Sequence, residues 1–367
     1  MKIPSVNPIR VTCLVICAFL LLAPLTATAQ RSFYMGLTPW PPDFTDEGVR
    51  DVYRFISEHG DMVAHHFDGG VPWLEALERR AYSQHLQDDW RRRKSNSPPN
   101  HAVYVAITPL NFARNGLADY WGKSDGMSLP KEWAKKRLND PDVERAFLNY
   151  AESVIEYFSP QFLAVGIEGN VMISKKPEKW DEYVDLNRRI YSELKRRHPR
   201  LPIFATIQYE HLRGIEKESK KNLHRQMPGV RELLQDSDLA GLSTYHYAIS
   251  HNPPRDDYFE PALSLGKPIC IVESGAVSRD FKIFWTRLKG NPEDQDAFVS
   301  FLLEQATQLR FVFVINYIAI DYDRMLPKLP WGIREIAKAW AYTGLQDADG
   351  RPKPALRTWD SYLRKRR

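Results

Sequence analysis

Short apolar runs recur eight times after residue 30, and each is followed by a polar loop and then by a segment with helical periodicity. Each run has the length and composition of a buried strand. Parallel strands need helical crossovers and are covered on both faces, so this alternation indicates a parallel sheet. Eight such units in about 310 residues predict a single-domain (β/α)8 barrel (TIM barrel) rather than an open doubly wound sheet. The predicted strands are Ser32–Leu37, Met62–Phe67, Ala102–Thr108, Phe162–Ile167, Pro202–Gln208, Leu239–Tyr245, Pro268–Glu273 and Phe311–Ile318.

Helix signals between these runs support the same architecture. The apolar spacing predicts helices over residues 141–158, 180–197 and 292–309. Asp140 and Asn291 are the predicted N-caps of the first and last helix, and each precedes a proline that suits the first helical position. No linker divides the chain, and 43% of its residues are hydrophobic. One large hydrophobic core is therefore expected.

Residues 1–29 have the features of a secretory signal peptide. Two basic residues precede an apolar run at 11–25, and the Ala-Thr-Ala sequence at 27–29 fits a cleavage site. The run is shorter than the roughly 20 residues that a membrane-spanning helix needs, although an uncleaved anchor is the alternative. We expect a secreted or periplasmic mature chain of 338 residues that begins at Gln30, without stable membrane insertion. Loss of the two basic residues lowers the net charge from +5 to +3, and Cys270 is then the single cysteine.

The composition and the loops exclude several functional classes. The 51 basic and 46 acidic residues are nearly balanced, so no nucleic-acid partner is expected. The first predicted strand continues into Met-Gly-Leu-Thr-Pro at 35–39, which lacks the Gly-rich phosphate loop of dinucleotide-binding folds. His66 and Asp68 share a strand face, but two ligands do not make a metal site. We therefore expect neither a metal nor an organic cofactor, and we interpret His66 and Asp68 as candidate sugar contacts.

Two glutamates end predicted strands, at the face of the barrel that carries catalysis in (β/α)8 enzymes. Glu168 follows the apolar residues 163–167, and Glu273 follows residues 268–272. A carboxylate next to a hydrophobic core is costly unless it has a partner or a chemical role. Two carboxylates that converge on one cavity suit glycoside hydrolysis, with one as general acid/base and the other as nucleophile. The alternative is that one or both of them pair with arginines.

On these residues the sequence resembles the clan A glycoside hydrolases, which are retaining (β/α)8 enzymes. Its layout is most similar to the family 53 endo-galactanases and to family 5-like enzymes. The resemblance covers the whole mature chain, including the closing segment at 343–355, and it implies Glu168 as acid/base and Glu273 as nucleophile. The clan usually has asparagine before the acid/base glutamate, where it binds the sugar 2-hydroxyl, whereas this chain has Ile167. Asn170 is the candidate replacement.

Other strand ends supply further candidate contacts. Tyr245 ends the sixth predicted strand and resembles the clan residue that hydrogen-bonds the nucleophile. Gln208 ends the fifth predicted strand and is a candidate for binding sugar hydroxyls. Glu210, two residues later, is the rival carboxylate for the acid/base role of Glu168.

Aromatic residues are frequent in the same loops. Sugar rings present C–H faces that stack on aromatic rings, so exposed aromatics at the barrel mouth favour a carbohydrate ligand. Trp331 follows the eighth predicted strand, where the resemblance implies an aromatic platform beneath the scissile sugar, and Trp40 is a second candidate contact. The aromatic residues predicted to line the mouth are Trp40, Trp73, Trp121, Tyr322 and Trp331.

The sequence therefore predicts an exported retaining glycosidase that acts on β-linked oligo- or polysaccharides. It names no sugar, no linkage and no oligomeric state. The alternative is a non-catalytic carbohydrate-binding barrel of the same ancestry, in which Ile167 marks lost chemistry; the fold alone does not decide between the two. Correct placement of Glu168, Glu273 and Tyr245 favours the enzyme, and a barrel mouth blocked by the loop at 110–140 favours the binding protein.

Overall fold

Nine parallel strands form one sheet in the computed structural model, which describes residues 30–214 and 223–367. The predicted signal peptide at 1–29 lies outside the described residues. The strands of the sheet are β1 (Tyr34–Leu37), β2 (Met62–Phe67), β3 (Ala102–Ile107), β4 (Phe162–Ala164), β5 (Ile203–Phe204), β6 (Thr206–Gln208), β7 (Ala240–Thr244), β8 (Ile269–Ser274) and β11 (Phe313–Asn316). Strands β9 (Phe281–Ile283) and β10 (Thr286–Leu288) form a separate antiparallel hairpin that the sequence did not predict.

The fifth predicted strand forms two short strands that complete the barrel. The sheet order is β5-β4-β3-β2-β1-β11-β8-β7-β6, so β5 pairs with β4 while β6 pairs with β7. The interruption falls at Ala205, whose backbone N–H donates to Ser237 Oγ (3.1 Å) instead of to a neighbouring strand. Because β5 and β6 together fill one position, eight positions surround the barrel, and the predicted (β/α)8 fold is confirmed.

The helices cover the outside of this barrel. The predicted helices at 141–158 and 180–197 have the predicted bounds, and the third ends one residue earlier, at Gln308. Asp140 and Asn291 are N-caps as predicted, because their side chains accept hydrogen bonds from the N–H groups of Asp142 (2.9 Å) and Asp294 (2.7 Å). The helices are α1 (Asp46–His59), α2 (Trp73–Glu78), α3 (Gln84–Asn96), α4 (Pro141–Phe158), α5 (Met172–Lys175), α6 (Trp180–Arg197), α7 (Tyr209–Arg213), α8 (Leu223–Gln235), α9 (Glu260–Leu263), α10 (Pro292–Gln308), α11 (Trp331–Ala337) and α12 (Pro354–Leu363).

Alternation along each strand separates an inner core from an outer core. In β2, Met62 and Ala64 belong to the inner cluster, and His66 continues the same face. His65 faces outward, where its ring lies 5.5 Å from that of Phe158 on α4. The inner cluster also contains Tyr104, Ala106, Ile167, Phe204, Cys270, Val272, Phe313 and Ile315. These side chains fill the barrel, so only its end at the carboxyl termini of the strands is open to a ligand.

Two loop features shape that end of the barrel. The segment between β3 and α4 is long, and the β9–β10 hairpin follows β8 directly.

Within residues 30–214 and 223–367, no helix has both the length and the apolar composition needed to cross a membrane.

Candidate active site

Glu273 reaches the inner face of the barrel through an irregularity in β8. Leu242 of β7 is opposite Ile271, but Ser243 is opposite Glu273, so one residue of β8 is extra. The extra residue is Val272, which packs in the inner core. A β-bulge of this kind re-aims the side chain that follows it. Glu273 therefore faces inward directly after Val272, which strict alternation would not allow.

The Glu273 carboxylate is buried and held on both sides. Its side chain is 8% exposed. The Tyr245 hydroxyl donates a hydrogen bond of 2.8 Å to Glu273 Oε2. On the other side, His66 Nδ1 lies 3.4 Å from Glu273 Oε1. The structure thus brings together three residues that the sequence placed on three different predicted strands.

His66 is a neutral polar group within the site. Burial, assisted by the charges of Arg93 and Arg114, lowers the pKa of His66 to about 3. Its ring packs edge-on against those of Tyr104 and Tyr317, with centroids 5.8 and 5.3 Å away. His66 Nε2 is buried and has no hydrogen-bond partner among the described residues. That nitrogen is available for a hydrogen bond to a bound hydroxyl group.

Glu168 lies beyond the end of β4 in a left-handed backbone conformation, with φ of 51°. Its N–H donates to Thr206 Oγ1 (2.9 Å), which fixes the turn to the neighbouring strand. Glycine is required on both sides of this turn, because a Cβ at Gly166 or Gly169 would lie 2.3 or 2.4 Å from the buried Tyr183 hydroxyl. Ile167 points into the inner core and packs below the site. It therefore offers no amide to a sugar hydroxyl, as the asparagine that is usual in clan A at this position would.

Arg114 connects the two sides of the site, and the sequence did not single it out. Its guanidinium makes a bidentate ion pair with Asp68, with bonds of 2.9 and 2.8 Å, and Nη2 lies 3.8 Å from Glu168 Oε2. Burial lowers the pKa of Arg114, but Asp68, Glu168 and Glu273 raise it by more, so the cation is permanent. Arg114 lies in the loop between β3 and α4, where no periodicity marks its position.

The two glutamates are electrostatically coupled. Burial raises the pKa of Glu273 well above its usual value, and the charge of Glu168 raises it further. The hydrogen bond from Tyr245 and the charge of Arg114 act in the opposite direction. Because two nearby negative charges repel, the charge of each glutamate disfavours ionisation of the other.

Glu210, the rival carboxylate, lies on the other side of β7. It is fully buried and accepts hydrogen bonds from Thr244 Oγ1 (2.7 Å) and from the Tyr258 hydroxyl. Since Ser243 faces inward beside Glu273, the next residue, Thr244, faces the helices, and Glu210 lies with it. Burial raises the pKa of Glu210, and its two hydrogen bonds oppose this shift. Glu210 therefore lies on the helix-facing side of β7, on the other face of the strand from Glu273.

Asn170 and Gln208 hold the backbone together instead of presenting free amides to the cavity. Asn170 is fully buried, and its side chain bonds both the N–H (2.9 Å) and the C=O (3.1 Å) of Gln208. It also donates to Gln226 Oε1 (3.1 Å). The Gln208 side chain accepts from the N–H of His211 and so caps α7. Asn170 thus uses its amide within the protein and Gln208 caps a helix, while the contacts of both residues with sugar stay predictions.

The predicted aromatic rim divides into exposed and core residues. Trp40 is 43% exposed, and its indole lies close to the Tyr317 hydroxyl beside His66. Trp73 and Tyr322 are core residues that do not face the cavity as predicted, whereas Trp121 is buried but lines the cavity beside β1 and β2. Trp73 donates to the carbonyl of Ala118 (2.8 Å), Trp121 to His85 Nδ1 (3.0 Å) and Tyr322 to the carbonyl of Ala337 (2.7 Å).

Trp331 lies away from the glutamate pair, and Trp340 takes a position closer to it. Trp331 begins α11, is 62% exposed and contacts Phe284 of the hairpin, with ring centroids 6.0 Å apart. The ring of Trp340 lies 6.1 Å from that of Tyr245 and 6.0 Å from that of Tyr317. Its Nε1 is buried and has no hydrogen-bond partner within the described part of the chain. The sequence does not distinguish Trp340 from Trp331, which is the first tryptophan after the last predicted strand.

A cavity of about 440 Å³ adjoins the site on the side of β1 and β2. His66 and Trp40 line its inner part, and Trp121 and Arg93 lie further out. A space of this size accommodates one or two sugar rings with their hydroxyl groups. Among the described residues, no three His, Cys, Asp or Glu side chains form a group that could hold a metal ion.

Comparisons with known proteins support the fold. No protein-family model matches the chain, and no curated protein matches it in sequence. A GH5_18 variant from Streptomyces cattleya in complex with Manβ1-4GlcNAc superposes with a TM-score of 0.61 at 14% identity, over 91% of this chain and 83% of that one. The Ignisphaera aggregans GH53 catalytic domain gives 0.55 at 15% identity, over 90% and 96%. Xylanase 10B from Thermotoga petrophila, in complex with xylobiose, gives 0.53 at 12% identity, over 91% and 94%. The resemblance to clan A glycoside hydrolases is thus confirmed for the fold.

Proposed function

We propose that this chain is a retaining glycosidase that hydrolyses β-linked glycosides, with Glu273 as nucleophile and Glu168 as general acid/base. The observation that carries the proposal is the electrostatically coupled pair at the carboxyl ends of β4 and β8, with Tyr245 bonded to Glu273. Two interacting carboxylates, one buried and one partly exposed, suit the two steps of a double displacement.

In the first step, Glu273 attacks the anomeric carbon while Glu168 gives its proton to the departing glycosidic oxygen. The bond to the aglycone breaks as a covalent glycosyl ester forms on Glu273. In the second step, Glu168 removes a proton from water, which attacks the same carbon and releases Glu273. Two inversions give net retention, and no cofactor or metal enters either step.

The surrounding residues prepare the protonation states that these steps need. Glu273 must be ionised, and both the Tyr245 hydroxyl and the charge of Arg114 favour its ionised form. Glu168 must hold the proton that the pair shares, and its side chain, 20% exposed, is open to a leaving group and to water. Asp68 orients Arg114 between the two glutamates, so we assign Asp68 a positioning role as well as the proposed role near the sugar.

We propose a carbohydrate substrate because several polar and aromatic groups meet beside the pair. His66 Nε2 and Trp340 Nε1 are buried donors or acceptors without partners among the described residues, and Trp40 offers an exposed ring next to them. Similar structures were determined with Manβ1-4GlcNAc and with xylobiose bound. The predicted signal peptide further supports action in the periplasm or outside the cell.

The test is hydrolysis by the mature chain, residues 30–367, of a panel of aryl β-glycosides and neutral or acidic polysaccharides. We expect release of the aryl group from at least one β-glycoside, and proton NMR should show the β-anomer as the first product. The α-anomer as first product would contradict the retaining mechanism. The Glu273→Ala variant is the control for contaminating activity.

The burial of Ile167 favours a second candidate, a non-catalytic carbohydrate-binding barrel. The side chain packs in the inner core, and Asn170 does not supply the missing amide. This candidate predicts sugar binding without hydrolysis of any glycoside in the panel. Isothermal titration with the oligosaccharides of the same panel distinguishes the two.

A further inference from the structure

The β9–β10 hairpin carries an exposed aromatic surface at the edge of the barrel mouth. Phe284 and Trp285 form its tip, and Trp285 is 93% exposed. Trp331, Ile333 and Ile336 on α11 are exposed beside it. We call these five residues the hairpin surface. Side chains of this size are rarely exposed together without a partner, so the hairpin surface requires an explanation.

Specific contacts hold the hairpin surface in place next to the candidate site. The N–H of Phe284 donates to Glu335 Oε2 (3.0 Å), which ties the tip of the hairpin to α11. At its base, Phe281 and Leu288 pack against the aromatic cluster that contains Tyr245. The base of the hairpin therefore packs in the same cluster as the residue that bonds Glu273, which places the hairpin beside the proposed catalytic pair.

The charges around the hairpin surface are predominantly positive. Two acidic residues next to the hairpin surface are neutralised: Asp280 accepts from Arg287 (2.8 Å), and Glu335 pairs with Lys338. Lys282 and Lys289 are exposed on the hairpin, and neither takes part in an ion pair within the described residues. Exposed aromatic rings flanked by an excess of positive charge match a ligand that has both apolar ring faces and negative charges.

We infer that the hairpin surface binds an acidic polysaccharide, whose sugar rings stack on Trp285 and Trp331 while its anionic groups pair with Lys282 and Lys289. This inference rests on the proposed function and narrows its substrate class. A neutral chain would use the aromatic rings but not the cations. An anionic membrane offers the same charge, but continuity with the glutamate pair favours a chain that leads into the site.

The test measures binding to immobilised polygalacturonate by biolayer interferometry, in about 0.15 M NaCl so that long-range attraction is screened. Glu273→Gln is introduced in every protein so that the polymer is not cut. We expect the Kd to rise about tenfold in Lys282→Glu/Lys289→Glu and about fivefold in Trp285→Ala. Binding to neutral galactan should be at least about tenfold weaker than binding to polygalacturonate.

Matched controls lie on other surfaces of the molecule. Arg357→Glu/Arg364→Glu reverses two exposed charges on α12 and at its end, and Leu263→Ala removes an exposed apolar side chain on α9. Neither should change the Kd, and thermal unfolding confirms that all variants fold. If Trp285→Ala fails to fold, the Kd of Lys282→Glu/Lys289→Glu alone tests the inference.

Four outcomes overturn the inference: absence of polymer binding by the parent, equal binding to neutral galactan, no loss of binding in the lysine variant, or tighter binding to phosphatidylglycerol vesicles than to the polymer. Aryl β-glycoside hydrolysis by the unsubstituted protein is measured separately. Hydrolysis without polymer binding overturns this inference alone, whereas polymer binding through the hairpin without hydrolysis overturns only the proposed catalysis.

Discussion

Glu273 and Glu168 occupy contrasting environments on opposite sides of the barrel mouth. Glu273 is part of a strand, is buried, is fixed by a hydrogen bond from Tyr245, and has His66 Nδ1 at 3.4 Å. Glu168 lies beyond its strand in a left-handed turn, is more exposed, and has Arg114 at 3.8 Å. A nucleophile benefits from a fixed position below one carbon atom, whereas an acid/base must exchange protons with a leaving group and with water. The contrast thus matches the two proposed roles.

The contrast also concerns protonation. Burial favours a proton on Glu273, and the proposed reaction requires it on Glu168. Tyr245 and Arg114 are the groups that counteract burial at Glu273. The proposed chemistry therefore depends on polar neighbours as much as on the two carboxylates, and substitutions can test each contribution.

The largest expected effect is that of Glu273→Ala. Without a nucleophile no glycosyl ester forms, so kcat should fall by about 10⁴-fold or more. Azide, which fits the vacated space, should restore turnover and give a glycosyl azide with inverted configuration, detected by NMR. Glu210→Gln is the matched control, because Glu210 is a buried glutamate on the other side of β7. Loss of activity in the control but not in Glu273→Ala would reverse the assignment.

Glu168→Ala should produce a loss that depends on the leaving group. A poor leaving group needs a proton, so kcat/KM on an unactivated glycoside should fall about 10³-fold. A dinitrophenyl group departs without a proton, so kcat/KM on that substrate should fall less than about tenfold. Glu132→Ala, which removes an exposed glutamate in the loop after β3, should leave both values unchanged. Equal losses on the two substrates would exclude the acid/base role.

Tyr245→Phe should have a smaller effect, with a signature in the pH profile. Loss of one hydrogen bond to the ionised nucleophile should lower kcat/KM by about 10- to 100-fold. Because the Tyr245 hydroxyl lowers the pKa of Glu273, its removal raises that pKa. The acidic limb of the kcat/KM profile should therefore move to higher pH. An unchanged limb together with lower activity would indicate that Tyr245 acts only through packing.

Local sequence patterns were sufficient to predict the barrel and the two glutamates. A glutamate after several apolar residues is visible in the sequence, and the caps at Asp140 and Asn291 follow from local hydrogen bonding. The bulge that turns Glu273 inward was not predictable, because it arises from the pairing of β7 with β8. Alternation alone would have placed Glu273 and Val272 on opposite faces.

The sequence also did not indicate residues whose roles depend on partners far away along the chain. Arg114 has no local pattern, and its role arises from Asp68, 46 positions earlier in the chain. Asn170 and Gln208 were predicted as sugar contacts because they follow strands, yet their amides satisfy backbone groups of their own neighbourhood. A polar residue near a strand end is as readily used for capping as for binding.

The smallest expected effect is a difference in KM between the Trp340→Phe and Trp331→Phe variants. Trp340 packs beside Tyr245 and has a buried indole N–H without a partner among the described residues, whereas Trp331 is exposed on α11. On an aryl glycoside, which occupies only the space next to the glutamates, Trp340→Phe should raise KM by about fivefold because it removes that N–H and part of the ring surface. Trp331→Phe should leave KM within about twofold, since a short substrate does not extend to the hairpin. Equal increases in KM would show that both rings contact the same sugar, and the platform predicted at Trp331 would then belong to the catalytic site.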